Sequence, residues 1–110
     1  MLSFDKLREM NRKRQAMWPG AEKADLPFRV IEVCGEAGEM AEAAKKVIRA
    51  QRGIHGSTVD ISALSDEMAD VVIALDLMAE ELGISLGVAV MRKFNKTSDK
   101  YGLPVGFEGY

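Results

Sequence analysis

The chain has 110 residues, 47% of them hydrophobic and 29% charged, with a formal net charge of −2 at neutral pH. That is the make-up of one globular domain, residues 1–110, and not of a protein whose main business is a nucleic-acid polymer or an anionic membrane. The single cysteine excludes an internal disulfide and a cysteine-based zinc site, and the single histidine, His55, leaves little room for histidine-rich metal chemistry.

Residues 3–17 read as a first helix. Ser3 caps it, and Phe4, Leu7 and Met10 or Asn11 follow helical spacing, with Met17 further down. Its basic residues, Lys6, Arg8, Arg12, Lys13 and Arg14, read as a solvated face. Trp18-Pro19-Gly20 ends this helix, and a loop runs to about Pro27. An indole in such a loop either caps the core or offers a flat face to an aromatic ligand, and the local sequence favours the cap.

A long helix is expected over about 27–52, since proline is tolerated in a first turn and Gly53 supplies a stop. At about 100° per residue, Val30, Cys34, Ala37, Ala41, Ala44 and Ile48 form one stripe, flanked by Val33 and Met40. Cys34 within it reads as a small core residue. Glu36 and Glu39 lie beside the stripe, with Glu32 between them on the same side. Gly35 and Gly38 each cost a helix interior about 1 kcal/mol relative to Ala, so close approach of another helix or a ligand is expected there.

Residues 53–60 form a connection in which His55 is a surface residue. A third helix over 61–82 carries its main stripe on Ile61, Leu64, Met68, Val71, Val72, Leu75, Met78, Ala79 and Leu82. Ile73 and Leu77, with Ala74 nearby, lie opposite, so the helix is apolar on two sides and a second subunit is the expected partner of one of them. A fourth helix runs from 84 or 85 to about 100, with a basic end at Arg92, Lys93, Lys96 and Lys100 that the helix dipole favours in any case. An irregular tail follows from about 101. No apolar run reaches the roughly 18 residues that a membrane span requires, and the first residues lack the apolar core of a secretory signal. The expected location is the cytoplasm.

Chemistry concentrates in two places. Glu36 and Glu39 on the second helix, and Glu67 and Asp70 on the third, are carboxylate pairs three residues apart, and such pairs project from one side of a helix. Both pairs occupy the same angular position beside their stripes. Four carboxylates around one point repel one another unless a cation neutralises them, and all-oxygen donors suit Mg²⁺ or Mn²⁺. A di-iron carboxylate bundle would need Glu-x-x-His motifs, which the lone loop histidine does not supply.

At these residues the chain resembles the MazG-like nucleotide pyrophosphohydrolases. The resemblance is carried by Gly35-Glu36-Ala37-Gly38-Glu39-Met40-Ala41-Glu42, by Asp66-Glu67-Met68-Ala69-Asp70-Val71-Val72, by Leu82-Gly83-Ile84-Ser85-Leu86, and by Lys93-Phe94-Asn95-Lys96-Thr97-Ser98 with Lys100. It spans roughly residues 26–104. It implies an all-α, antiparallel four-helix bundle-like fold completed by dimerisation, as a homodimer or a dimer of dimers. The implied activity is hydrolysis of a nucleoside triphosphate to its monophosphate and pyrophosphate, in a house-cleaning or starvation role. Mg²⁺ is expected on Glu36, Glu39, Glu67 and Asp70, with Glu36 or Glu39 taking the proton of the attacking water. Phosphate or sugar contacts are expected from Lys93, Asn95, Lys96 and Lys100, and the nucleobase pocket from Trp18. Many relatives carry Glu where this chain has Gly35; Glu32, one turn earlier, is the candidate auxiliary carboxylate. The alternatives are a phosphoribosyl-ATP pyrophosphohydrolase-like enzyme of the same superfamily and a non-catalytic helical interaction module.

Overall fold

A computed structural model of the protein describes residues 1–57 and 60–109. Thr58 and Val59 of the expected connection, and Tyr110 at the end of the expected tail, lie outside the described residues. Within these the fold is all-α: α1 (Phe4–Met17), a single 3₁₀ turn (Ala21–Lys23), α2 (Leu26–Gln51), α3 (Ile61–Glu81) and α4 (Leu86–Lys100). No described helix is long and apolar enough to cross a membrane.

Each α-helix begins at a side-chain cap. Ser3, Asp25, Asp60 and Ser85 accept from the backbone N–H three residues on, satisfying a donor that the helix itself cannot. Gly53 and Gly83, in the left-handed region at φ 72° and 66°, follow the ends of α2 and α3. The helix boundaries therefore fall within two residues of those expected from the sequence.

The two long helices form the main packed pair, α2 against α3. Glu36 shares a cavity with Asp70, while Glu39 shares another with Glu67 and Ala63. Numbers rising on one helix meet numbers falling on the other, so the pair is antiparallel.

The sides of these helices that pack coincide only in part with those the periodicity favours. On α2, Arg29 and Val47 are buried and Met40, Ala43 and Ala50 half-buried, a line that runs through Glu36. Of the expected stripe, Ala37 and Ala44, with the flanking Val33 and Met40, are half-buried, whereas Val30, Cys34, Ala41 and Ile48 are exposed, so Cys34 is no core residue in the single chain. On α3, Ala74 and Leu77 are buried, as is Ala79 of the expected main stripe, with Leu64, Val71 and Met78 of that stripe half-buried, whereas Met68, Val72, Leu75 and Leu82 are exposed. Helical spacing identifies an apolar side but carries no information about which of two apolar sides meets a neighbour in the same chain. Gly35 and Gly38 likewise have open space: a Cβ on either would meet nothing within 4 Å.

α1 is fastened to α3 by polar side chains. Asp76, 1% exposed, accepts from Arg8 Nε at 2.9 Å on one oxygen and from Asn11 Nδ2 at 2.9 Å on the other. Arg8 also donates to the Ile84 carbonyl at 2.8 Å, and Arg12 grips Glu80 with two bonds of 2.8 and 3.0 Å. A solvated face is therefore the wrong description for Arg8, whose side chain is only 15% exposed. Lys6 and Lys13 do lie on the surface, paired with Glu9.

α4 packs against α1, with Phe4 close enough that a Cβ on Gly87 would stand 3.3 Å from it. The tail folds back on α4. Asn95 donates to the Phe107 carbonyl and accepts from the Phe107 N–H, both at 2.7 Å, and the Phe94 and Phe107 rings meet edge to face. The Cα radius of gyration is 17.2 Å, against about 13 Å for a compact chain of this length. The single chain is thus more open than a closed bundle.

Candidate functional site

The antiparallel register brings the two acid pairs together. Carboxylate oxygens of Glu36, Glu67 and Asp70 all lie within 4.8 Å of one another. Glu39 stands beside this trio, close enough that its charge acts on both Glu36 and Glu67. Glu36 and Glu39 are one helical turn apart on α2, as are Glu67 and Asp70 on α3, so two turns suffice to gather all four side chains.

These acids stand in the helix seam. Glu36 Oε2 and Glu67 Oε2 are buried and have no hydrogen-bond partner among the described residues. Burial is the largest cause pushing the Glu36 carboxyl above its usual range, followed by the neighbouring charges of Glu39 and Asp70. Glu67 is raised by burial first, then by Glu39 and Asp70. Both effects penalise the charged form, and both are relieved by a bound cation. An oxygen-only donor set with two orphaned buried oxygens fits a hard divalent ion. Mg²⁺ fits such donors, and Mn²⁺ is a substitute with the same preference.

A cavity of about 540 Å³ opens from Glu36 and Asp70 towards the loop before α2. Trp18 and Phe28 line it too, and Arg14, Lys23 and Arg29 contribute positive charge. Trp18 is 58% exposed, so it is not a core cap; its ring is a wall of the cavity. Gly20, at φ 82°, turns the chain so that the 3₁₀ turn returns along that wall. On the other side of the acids, Glu39 and Glu67 line a second cavity of about 350 Å³ together with Glu42, Lys46 and Asp60.

The remaining sequence-derived candidates are placed elsewhere. Lys93, Asn95, Lys96 and Lys100 line neither of these cavities. Asn95 holds the tail, and Lys100 Nζ lies 5.4 Å from the centre of the Tyr101 ring. Glu32 lies in the large cavity but outside the carboxylate trio, paired with Arg29 at 3.1 Å. His55 is exposed, as expected.

The sequence pattern gave no place at the site to Arg29, Phe28, Lys23 and Lys46, and put Arg14 on a solvated face. A signal existed for Arg29: it precedes Glu36 by seven residues, two turns along the same side of α2. For the others, only the fold of the loop and the pairing of the helices place them.

No family model and no solved structure matches the chain. It is similar to the "Gene 37 protein" of Mycobacterium phage L5, with 29% identity over 89 residues and 77% of each chain covered. The fold and the site define an all-helical protein with a carboxylate cluster between two antiparallel helices.

Proposed function

We propose that the protein is a MazG-like nucleotide pyrophosphohydrolase that cleaves a (d)NTP to the (d)NMP and pyrophosphate with Mg²⁺. The observation that carries this reading is the convergence of Glu36, Glu67 and Asp70 within 4.8 Å, with orphaned buried oxygens, two of the three acids lining a cavity that Trp18 and Phe28 also line. Metal affinity alone would need only the acids. The adjoining Trp18 and Phe28 surface adds a place for a flat ring, and stacking of a base on such a side chain contributes about 1–3 kcal/mol.

Glu36, Glu67 and Asp70 would hold the cation, which supplies charge neutralisation to the phosphates and lowers the pKa of water near it. Glu39 stands next to that trio and is exposed, which suits it to take the proton from the attacking water. The water oxygen bonds to the α-phosphorus as the bridging α–β P–O bond breaks, and pyrophosphate leaves. Lys46, on the far side of the acids, and Arg14, Lys23 and Arg29, on the near side, are the cations lining the two cavities around this centre.

Dimerisation belongs to the same proposal. Met68, Val72, Leu75 and Leu82 on α3 and Val30 and Ile48 on α2 leave apolar surface uncovered, and the chain is expanded for its length. A second copy covering these helices also offers the α4 lysines a route to an acid cluster that they do not reach in their own chain.

The test is pyrophosphate release from a panel of NTPs and dNTPs, with phosphoribosyl-ATP included, in Mg²⁺ against an EDTA control. Release above the control from a nucleoside triphosphate supports the reading. Turnover confined to phosphoribosyl-ATP moves it to the related enzyme, and none at all leaves a non-catalytic module.

A further inference from the structure

Glu32 is the acid that the metal centre leaves over. It lines the large cavity one turn before Glu36, between the carboxylate trio and the aromatic wall. Arg29 Nη1 donates to Glu32 Oε1 at 3.1 Å, and Arg29 Nη2 donates to Gln15 Oε1 of α1 at 3.0 Å. The guanidinium lies 5.6 Å from the centre of the Phe28 ring, and Arg29 is 5% exposed. Its Nε is buried without a hydrogen-bond partner among the described residues.

Burying an arginine to hold a carboxylate is a poor route to stability, because desolvation offsets much of the attraction. What the arrangement does achieve is a fixed acceptor. Glu32 is tied through Oε1, and Oε2 has no protein partner among the described residues. Its side chain retains 25% exposure, on a cavity whose other walls include Trp18 and Phe28. A planar ring stacked on either aromatic side chain would lie in the same cavity that Glu32 lines.

An ionised carboxylate accepts hydrogen bonds and donates none. Cytosine, adenine and guanine each carry an exocyclic amino group that donates to it, and acceptance by Glu from the cytosine amino group is a recurrent pairing. Uracil and thymine flank their one ring N–H with carbonyl oxygens, which repel a carboxylate placed at that edge. We propose that Glu32, oriented by Arg29 and Gln15, reads the base edge and selects nucleotides whose base bears an exocyclic amino group. The inference rests on the nucleotide reading of this cavity.

Trp18 is the single tryptophan, so its fluorescence reports a ring stacked in this cavity. The wild-type protein is titrated without metal against dCMP, dAMP, dGMP, dTMP and dUMP. The amino-bearing monophosphates are expected to bind about tenfold or more tightly than dTMP and dUMP, the discrimination of one charge-assisted hydrogen bond. Glu32→Gln, whose amide both donates and accepts, is expected to bring that ratio within about threefold, with helical content checked by circular dichroism. Equal affinities in the wild type, an unchanged ratio in a folded Glu32→Gln, or no quenching by any monophosphate overturns the proposal. The wild-type comparison needs no variant and stands even if Glu32→Gln fails to fold. Pyrophosphate release at equal kcat/KM from all triphosphates keeps the hydrolase and sinks the base reader. Amino-selective quenching with no pyrophosphate release from any of them does the reverse.

Discussion

α3 presents carboxylates to two different seams, and the two are solved in opposite ways. Asp76, facing α1, has both oxygens occupied by Arg8 and Asn11. Glu67, facing α2, has a buried oxygen with no partner among the described residues and acidic neighbours where Asp76 has basic ones. The same helix therefore carries one satisfied acid and one unsatisfied acid within three turns. A satisfied buried carboxylate is structural, because its hydrogen bonds compensate the lost water. An unsatisfied one leaves room for a further ligand, and that contrast is why the α2–α3 seam, and not the α1–α3 seam, is the candidate site.

The strongest way to break the comparison is through activity. Glu39→Gln or Asp70→Asn is expected to lower pyrophosphate release by several orders of magnitude while helical content, read by circular dichroism, stays unchanged. Near-normal turnover in either would separate the acids from the chemistry.

Stability offers the next test, and the two seams should respond with opposite signs. Asp76→Ala leaves Arg8 and Asn11 facing each other without their acceptor, and is expected to cost about 3–5 kcal/mol in denaturant unfolding, the usual penalty for breaking a buried pair. Glu67→Gln removes a charge that its surroundings oppose, and is expected to raise the melting temperature of the metal-free protein at pH 7–8.

That second effect has a defined pH dependence. The folded carboxyls of Glu36 and Glu67 lie above the unfolded value of 4.5, so over this range the native state holds more protons than the unfolded chain. Their contribution to stability therefore falls as pH rises from the unfolded value through the raised folded ones. Glu9, Glu42 and Glu80 are lowered, mainly by hydrogen bonds from Lys13, Lys45 and Arg12 respectively, and act in the opposite direction. The difference between wild type and Glu67→Gln isolates the cluster: the variant's advantage should vanish near pH 4 and grow towards neutrality. An advantage independent of pH would mean that the charge of Glu67 is not what its surroundings oppose.

The smallest effect expected is from metal on stability alone. Mg²⁺ well above its dissociation constant should raise the wild-type melting temperature by a few degrees, through mass action on the folded state. The same addition should leave Asp70→Asn nearly unmoved.

How much of this was legible depends on the kind of signal. Helices and their ends are local, and Ser3, Asp25, Asp60, Ser85, Gly53 and Gly83 mark them by chemistry that acts over three or four residues. The acid pairs are also local, since one turn of helix puts Glu36 with Glu39 and Glu67 with Asp70. Cys34, expected in the core, and Trp18, whose local sequence favours a core cap, are both exposed. A stripe says that a surface is apolar, and a Trp-Pro-Gly loop says that the chain turns, but neither says what lies opposite. Asn11 and Asp76 are buried against the tendency of their residue types, and each finds its partner on another helix, so no window of sequence contains the reason; Arg29 has one partner a turn away on its own helix, Glu32, and one on α1, Gln15.

By itself, then, the sequence determined four helices, their caps and two pairs of acids, because hydrogen bonding and side-chain spacing within a helix are set over a few residues. Tertiary structure alone decided that α2 and α3 meet through the line of the acids and leave much of the more apolar stripe exposed, that α1 is fastened by Arg8 and Asn11 to Asp76, and that Gln15 of α1 meets the Arg29 that holds Glu32. Each of those depends on a rotation or register between helices, and the energy that selects it comes from groups far apart in the chain.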